Sequence, residues 1–304
     1  MYLQHFGLRE PPFSLTPDTG FFFAWRSHQE ALNVLLVAIA NGEGFLKVTG
    51  EIGLGKTLLC RKLLNALTEP YVTAYIPNPH LSPGAMRQAI VDDLGVEIDH
   101  SATQNDIVRA MTRKLIELAR EGRRVVVVLD EAQELPEKTL EAVRLLTNLE
   151  TEKRKLLQVV LFGQPELDRR LQSPSLRQLR QRITFSYSLS PMDFDGVSNY
   201  VRHRLRIAGH AGGTLFQPAA LRRIFRASAG TPRLVNVLCH KALMAAYGRG
   251  DDRIDAVHAT LAVRDTEGAI GSRFAWWPLV IGAPLAGVVL MMLWSQFSGS
   301  PGVS

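Results

Sequence analysis

Cysteine is scarce in this 304-residue chain. Cys60 and Cys239 stand alone in apolar surroundings, without CxxC or histidine spacing, so two reduced core residues are expected rather than a disulfide or a thiolate metal site. The histidines are scattered without metal-ligand spacing. No internal repeat or low-complexity tract is present. The opening MYLQHFGLREPPF lacks a basic segment followed by an apolar run, so no cleavable signal peptide is expected. Charge of one sign is also limited: 35 Lys and Arg against 29 Asp and Glu leave a net charge of +6. That balance permits an anionic partner (nucleotide, nucleic acid or lipid headgroup) without selecting one. Apolar residues, at 46%, suffice for a sizeable core and one or two domains plus appendages.

Apolar runs bounded by turn residues alternate with amphipathic stretches, the pattern of an α/β domain with a parallel sheet flanked by helices. Strands are predicted at Phe45–Thr49, Tyr71–Ile76, Val125–Leu129, Leu156–Phe162 and Ile183–Leu189. Ser27 with Glu30 reads as a capping box opening a helix over His28–Ala40. Helices are also predicted over Lys56–Leu67, over Asn105–Glu121, and from a first-turn Pro136 toward Asn148. After Leu189 the strand signals stop, and residues 190–265 read as a small all-helical domain, followed by a linker at 266–274.

Gly50-Glu51-Ile52-Gly53-Leu54-Gly55-Lys56-Thr57 matches GxxxxGK[ST] at each fixed position, directly after a predicted strand and before a helix. Glycines let backbone N–H groups turn inward around phosphate oxygens, and the helix N-terminus adds its positive dipole end. These residues and Leu58 are the expected phosphate-binding set for ATP. Lys56 would reach the β- and γ-phosphates, and the Thr57 hydroxyl would ligate Mg²⁺. A second signal is Val125–Leu129 followed by Asp130 and Glu131. Asp130 sits where an aspartate would hold Mg²⁺ through water, and Glu131 would polarise the attacking water as general base. No NKxD motif supports a guanine-specific reading.

These motifs, with LFGQPEL, LRQLRQRI and GTPRLVN, resemble the AAA+ ATPases of the ExeA/GspA family. The first 32 residues are similar to the opening of ATPases of MSHA-type pilus biogenesis, and the resemblance covers essentially the whole chain. It implies an AAA+ P-loop domain in residues 1–189, together with an N-terminal segment, and a helical lid at 190–265. It also implies that Gln164 lies near the sensor-1 position, though a loop residue capping the turn before Pro165 is an equal alternative. Arg182, or Arg180, resembles an arginine finger reaching a neighbouring subunit's nucleotide, against the alternative of a solvated basic face. Arg233 resembles a sensor-2 arginine that reports nucleotide state to the lid. Phe21, Phe22, Phe23 and Trp25 read as an adenine platform or as core packing or a partner face, the latter being favoured.

Near the C-terminus, Ala275–Trp294 is uncharged over about 20 residues, the length that crosses a hydrocarbon core. Trp276, Trp277 and Trp294 mark its ends. Arg264 and Arg273 precede it and no Lys or Arg follows, so a single-pass inner-membrane helix with the ATPase in the cytoplasm is expected. Ser295–Ser304 would be a short periplasmic tail, and the peptidoglycan binding associated with ExeA-like relatives is not carried over. The expected function is an ATP-hydrolysing, homo-oligomeric assembly factor working with pilus or secretion inner-membrane proteins. Two alternatives stand beside it: a DNA-associated ATPase of the MuB/TniB kind, for which no DNA-reading motif is found, and a slow nucleotide-gated scaffold.

Overall fold

The computed structural model describes residues 1–77, 80–99, 102–150 and 155–270. A short helix α1 (Tyr2–His5) and α2 (Arg26–Ala40) precede β1 (Phe45–Thr49). Then α3 (Lys56–Ala66) leads to β2 (Tyr71–Ile76), and α4 (Pro83–Asp93) with α5 (Gln104–Arg120) leads to β3 (Arg124–Leu129). Next, α6 (Glu137–Leu146) leads to β4 (Leu157–Gly163), and α7 (Pro165–Arg170) with α8 (Arg177–Arg182) leads to β5 (Phe185–Ser188). Four helices follow: α9 (Phe194–Ile207), α10 (Pro218–Ser228), α11 (Pro232–Arg249) and α12 (Ala256–Arg264).

The strands form one parallel sheet in the order β2-β3-β4-β1-β5. Side chains alternate across a strand, so an all-apolar strand must be covered on both faces. Accordingly Val125, Val127 and Leu129 pack with Met86 and Ile90 of α4 and Met111, Leu115 and Leu118 of α5. Val126 and Val128 point the other way, onto Leu35 and Ile39 of α2 and Leu59 and Leu63 of α3. Because β1, β4 and β3 are neighbours and parallel, the loops after them share the carboxyl edge of the sheet, where ligands of open α/β folds bind.

A third core belongs to the helical domain, and the N-terminal segment packs into it. Phe6, Leu8, Phe13 and Phe21 lie among Val197, Ile224, Leu238 and Leu243. Arg204 of α9 is buried and pins this segment down: Nε donates to the Pro12 carbonyl, Nη2 to Ser14, and its guanidinium sits 4.5 Å from the Phe21 ring centroid. Cys60 and Cys239 are free and buried.

Local expectations shift in three places. Helix α2 starts at Arg26 with Trp25 as its cap, so Ser27 and Glu30 make no capping box. Instead Ser27 Oγ accepts from the Ser190 amide at 3.1 Å and Glu30 accepts from the Tyr187 hydroxyl at 2.8 Å. Both residues serve the junction between β5 and the helical domain, a long-range role that local spacing cannot reveal. Pro136 is the cap of α6 rather than its first residue. The last strand is trimmed to four residues because Ile183 already ends α8.

The sheet and the helical domain are joined by close backbone contacts. Leu189 donates to Thr49 at 2.7 Å, and Met192 donates to the Gly230 carbonyl at 3.0 Å. Gly230 has φ +74°, and a Cβ there would lie 1.9 Å from the Met192 carbonyl oxygen, so only glycine fits this junction. Residues 266–270 still pack on the helical domain: Thr266 and Ala269 are buried, and the Ile270 amide donates to Ala227 at 3.0 Å. Among the described residues no helix is long and apolar enough to cross a membrane, and the expected span Ala275–Trp294 lies outside the described residues.

Candidate functional site

The loop after β1 carries Gly53 at φ +84° and Gly55 at φ +88°, left-handed conformations that let it curl before α3 begins at Lys56. Lys56 is only 5% exposed, and its ammonium donates to the carbonyls of Gly50 (2.7 Å) and Glu51 (3.1 Å), closing the loop on itself. Burial pulls its pKa down, against the opposing attraction of Glu131, Asp130, Glu51 and Glu166. A desolvated cation at a helix N-terminus is an arrangement that suits phosphate oxygens.

Asp130 directly follows β3 and is 2% exposed. Burial raises its pKa, opposed by hydrogen bonds from the Thr57 side chain and the Glu131 amide, the latter at 3.0 Å. Asp130 thus lies beside the Thr57 side chain. Among the described residues no group of three or more His, Cys, Asp or Glu side chains could hold a metal by protein ligands alone. Mg²⁺ does not need one, since it keeps waters and takes phosphate oxygens, so a hydroxyl and one carboxylate fit it.

Glu131 adopts φ +50°, an unusual conformation for a residue with a side chain. Its Oε2 accepts from Gln133 Nε2 at 2.7 Å and from Gln164 Nε2 at 3.3 Å. Gln133 Oε1 in turn accepts from the Gln164 backbone amide at 2.9 Å, and Arg170 donates to the carbonyls of Gln133 and Leu135. The end of β4 thus grips the carboxylate after β3 through two amides. Gln133 was not singled out by sequence, although its place two residues after Glu131 lies within the same short motif.

These groups open onto a cleft of about 300 Å³, lined by Gly53, Lys56, Thr57, Glu131, Gln164 and Arg233 among others. The helical domain meets the loop here: the Arg233 amide donates to Gly53 at 3.2 Å, and a Cβ on Gly53 would lie 2.8 Å from Arg233 Cβ. The Arg233 side chain makes no ion pair among the described residues. An unpaired cation at the start of α11 opposes the helix dipole and suits an anion in the cleft. The remaining wall comes from Ser14–Asp18, Tyr200 and Asn236, which no sequence motif marked.

Other expected site residues lie elsewhere. Gly50, Glu51 and Leu54 shape the loop from behind, and Ile52 and Leu58 reach the cleft. Arg182 donates to Thr147 Oγ1 at 3.0 Å, at the end of α6, and does not line the cleft of its own chain. The aromatic run does not form a platform: Phe21 is buried in the helical-domain core, Phe23 and Trp25 pack against it, and none of the four lines the cleft.

The loop, the two acids after the central strand, and the helical domain closing over them define a P-loop NTPase of the AAA+ class. Residues 39–171 match the AAA domain family model. The chain is 42% identical over 291 residues to general secretion pathway protein A of Aeromonas hydrophila, covering 96% of this chain and 53% of that protein. The chain is thus similar over nearly its whole length to a protein of the ExeA/GspA kind, and spans about half the length of that curated relative. Among solved structures, Aeropyrum pernix ORC2 in ADPNP and ADP complexes is similar at TM-score 0.60 and 18% identity, over 82% of this chain and 72% of that one. The A. pernix ORC1 protein in complex with DNA gives 0.62 and 19%, over 83% and 68%. The Thermotoga maritima RuvB branch migration motor gives 0.54 and 17%, over 80% and 70%. At these identities the likeness is one of fold.

His28 adds a latch behind the loop. Its Nε2 lies 2.7 Å from the Leu54 carbonyl, which makes it the donor, while the buried Nδ1 has no partner among the described residues. Burial holds its pKa below the ordinary 6.5, with the Leu54 bond opposing. The folded chain therefore favours neutral His28, and the unfolded chain takes up the proton first as pH falls through 6.5. Stability from this group is complete above that value and declines below it. The melting midpoint is expected to fall as pH drops from about 8 to about 5, and His28→Gln should flatten part of that slope. His203 is shifted in the same direction, so the difference between wild type and variant isolates His28. Gln133→Ala should lower single-turnover hydrolysis roughly tenfold through loss of orientation at Glu131, with nucleotide affinity unchanged.

Proposed function

We propose that the chain binds ATP with Mg²⁺ and hydrolyses it as a membrane-tethered homo-oligomer. In this role it supports assembly of an MSHA-like type IV pilus or related secretion machinery at the bacterial inner membrane. The observation that carries the chemistry is the convergence of Lys56, Thr57 and Glu131 on one cleft, with Asp130 buried behind Thr57 and the helical domain closing the cleft through Arg233.

In this scheme the loop amides and Lys56 hold the phosphates, and Arg233 draws the lid onto the same charge. Thr57 and Asp130 would hold Mg²⁺, which supplies charge neutralisation at the phosphates when bound. Glu131 takes the proton of the attacking water, with its carboxylate oriented by Gln133 and Gln164. A finger from a neighbouring subunit would complete charge neutralisation. Arg180 is freer for that role than Arg182, because its side chain makes no hydrogen bond or ion pair among the described residues, whereas the Arg182 side chain is engaged with Thr147. The pilus assignment rests on the N-terminal resemblance to MSHA biogenesis ATPases such as MshM, and the secretion context on the relative's name. The tether rests on the uncharged stretch Ala275–Trp294. The ORC likeness is of fold alone and carries no nucleic-acid role.

Purified protein should hydrolyse ATP, and Glu131→Gln should bind ATP within a few-fold of wild type while losing at least about 100-fold in turnover. Wild type that turns over no faster than this variant would leave a nucleotide-gated scaffold in place of a motor.

A further inference from the structure

We infer that the exposed face of α10 is a docking surface for anionic lipid headgroups. The inference rests on the reading of Ala275–Trp294 as a membrane tether.

Helix α10, PAALRRIFRAS, carries Arg222, Arg223 and Arg226 and no carboxylate. Its buried side is Ala220, Ile224 and Ala227, so the three arginines share the opposite, exposed face. None of them makes a hydrogen bond or ion pair through its side chain among the described residues. Some surface cations are matched by a carboxylate: Arg144 by Glu141, Arg169 by Glu166, Lys241 by Asp265. Arg222 and Arg226 stand at i and i+4, where like charges repel, and no carboxylate pairs with either among the described residues. Arginine forks suit phosphodiester oxygens, and basic side chains near an anionic leaflet each strengthen surface partition by roughly a factor of five.

Where the described chain leads identifies the surface. Its last residue, Ile270, is 66% exposed and is hydrogen-bonded through its amide to Ala227, at the C-terminal end of α10. The uncharged stretch begins at Ala275, so the intervening chain reaches at most roughly 18 Å. A tether that short holds the end of α10 beside the headgroups, with Arg273 on the way. The cleft's own cation, Arg233, starts the next helix, so membrane docking and nucleotide would act on adjoining elements of one helical domain.

The full chain can be placed in nanodiscs of phosphatidylcholine alone, or of phosphatidylcholine mixed with phosphatidylglycerol, and hydrogen exchange followed over residues 218–228. Exchange should be several-fold slower in the anionic discs, and the difference should vanish in high salt and in the Arg222→Glu, Arg223→Glu, Arg226→Glu triple variant. The corresponding triple Arg→Lys variant should keep it, and ATP binding by both variants checks their fold. Equal exchange in the two discs, with the chain anchored in both, overturns the inference and leaves the tether standing. A chain that associates with neither disc removes the tether and the inference together. Slowing by a duplex oligonucleotide that exceeds the effect of the anionic discs reassigns the face to nucleic acid.

Discussion

A lysine ammonium held almost out of water organises this molecule. Lys56 lies inside the loop it belongs to, bonded to the Gly50 and Glu51 carbonyls, with Asp130 and Glu131 as its nearest negative charge. A buried cation needs compensation, and two neutral carbonyls give only part of it. Phosphate oxygens would add to what the neighbouring acids supply. To keep a place for them the loop needs left-handed glycines, a helix starting at the lysine itself, and a strand edge that delivers acids on the far side. The parallel order β3-β4-β1 provides that edge.

The second constraint is contact between two cores. The sheet and the helical domain meet at Gly53 with Arg233 and at Ser190 with Ser27. Each contact involves a backbone atom and little side-chain volume, so the helical domain is attached at the cleft by directional bonds. The N-terminal segment reinforces this: Arg204 holds it to α9, while Arg61 of α3 donates to the Pro17 carbonyl at 2.8 Å. A nucleotide in the cleft would touch all three parts, and this geometry allows occupancy to be felt in the helical domain.

Much of this was legible in the sequence, for identifiable reasons. The strand Val125–Leu129 is apolar at every position, and the GxxxxGK[ST] spacing encodes a loop by its glycines, so local pattern and structure agree there. The helices after Leu189 were visible by their periodicity. What escaped depends on partners distant in sequence. Ser27 and Glu30 fit a local cap but are engaged by Ser190 and Tyr187. Gln133 looks like an ordinary polar residue until β4 brings Gln164 beside it. Strand ends shifted by a residue or two because adjoining turns, not apolar content, decide where pairing stops.

The central claim is that Lys56 is a phosphate receptor and not merely a brace for its own loop. Titration of the full chain with ATP and Mg²⁺, read by calorimetry, tests it directly against Lys56→Ala. The account predicts saturable one-site binding by wild type and a loss of at least about tenfold in affinity for the variant, with the fold retained. Equal affinity in the two proteins would contradict it.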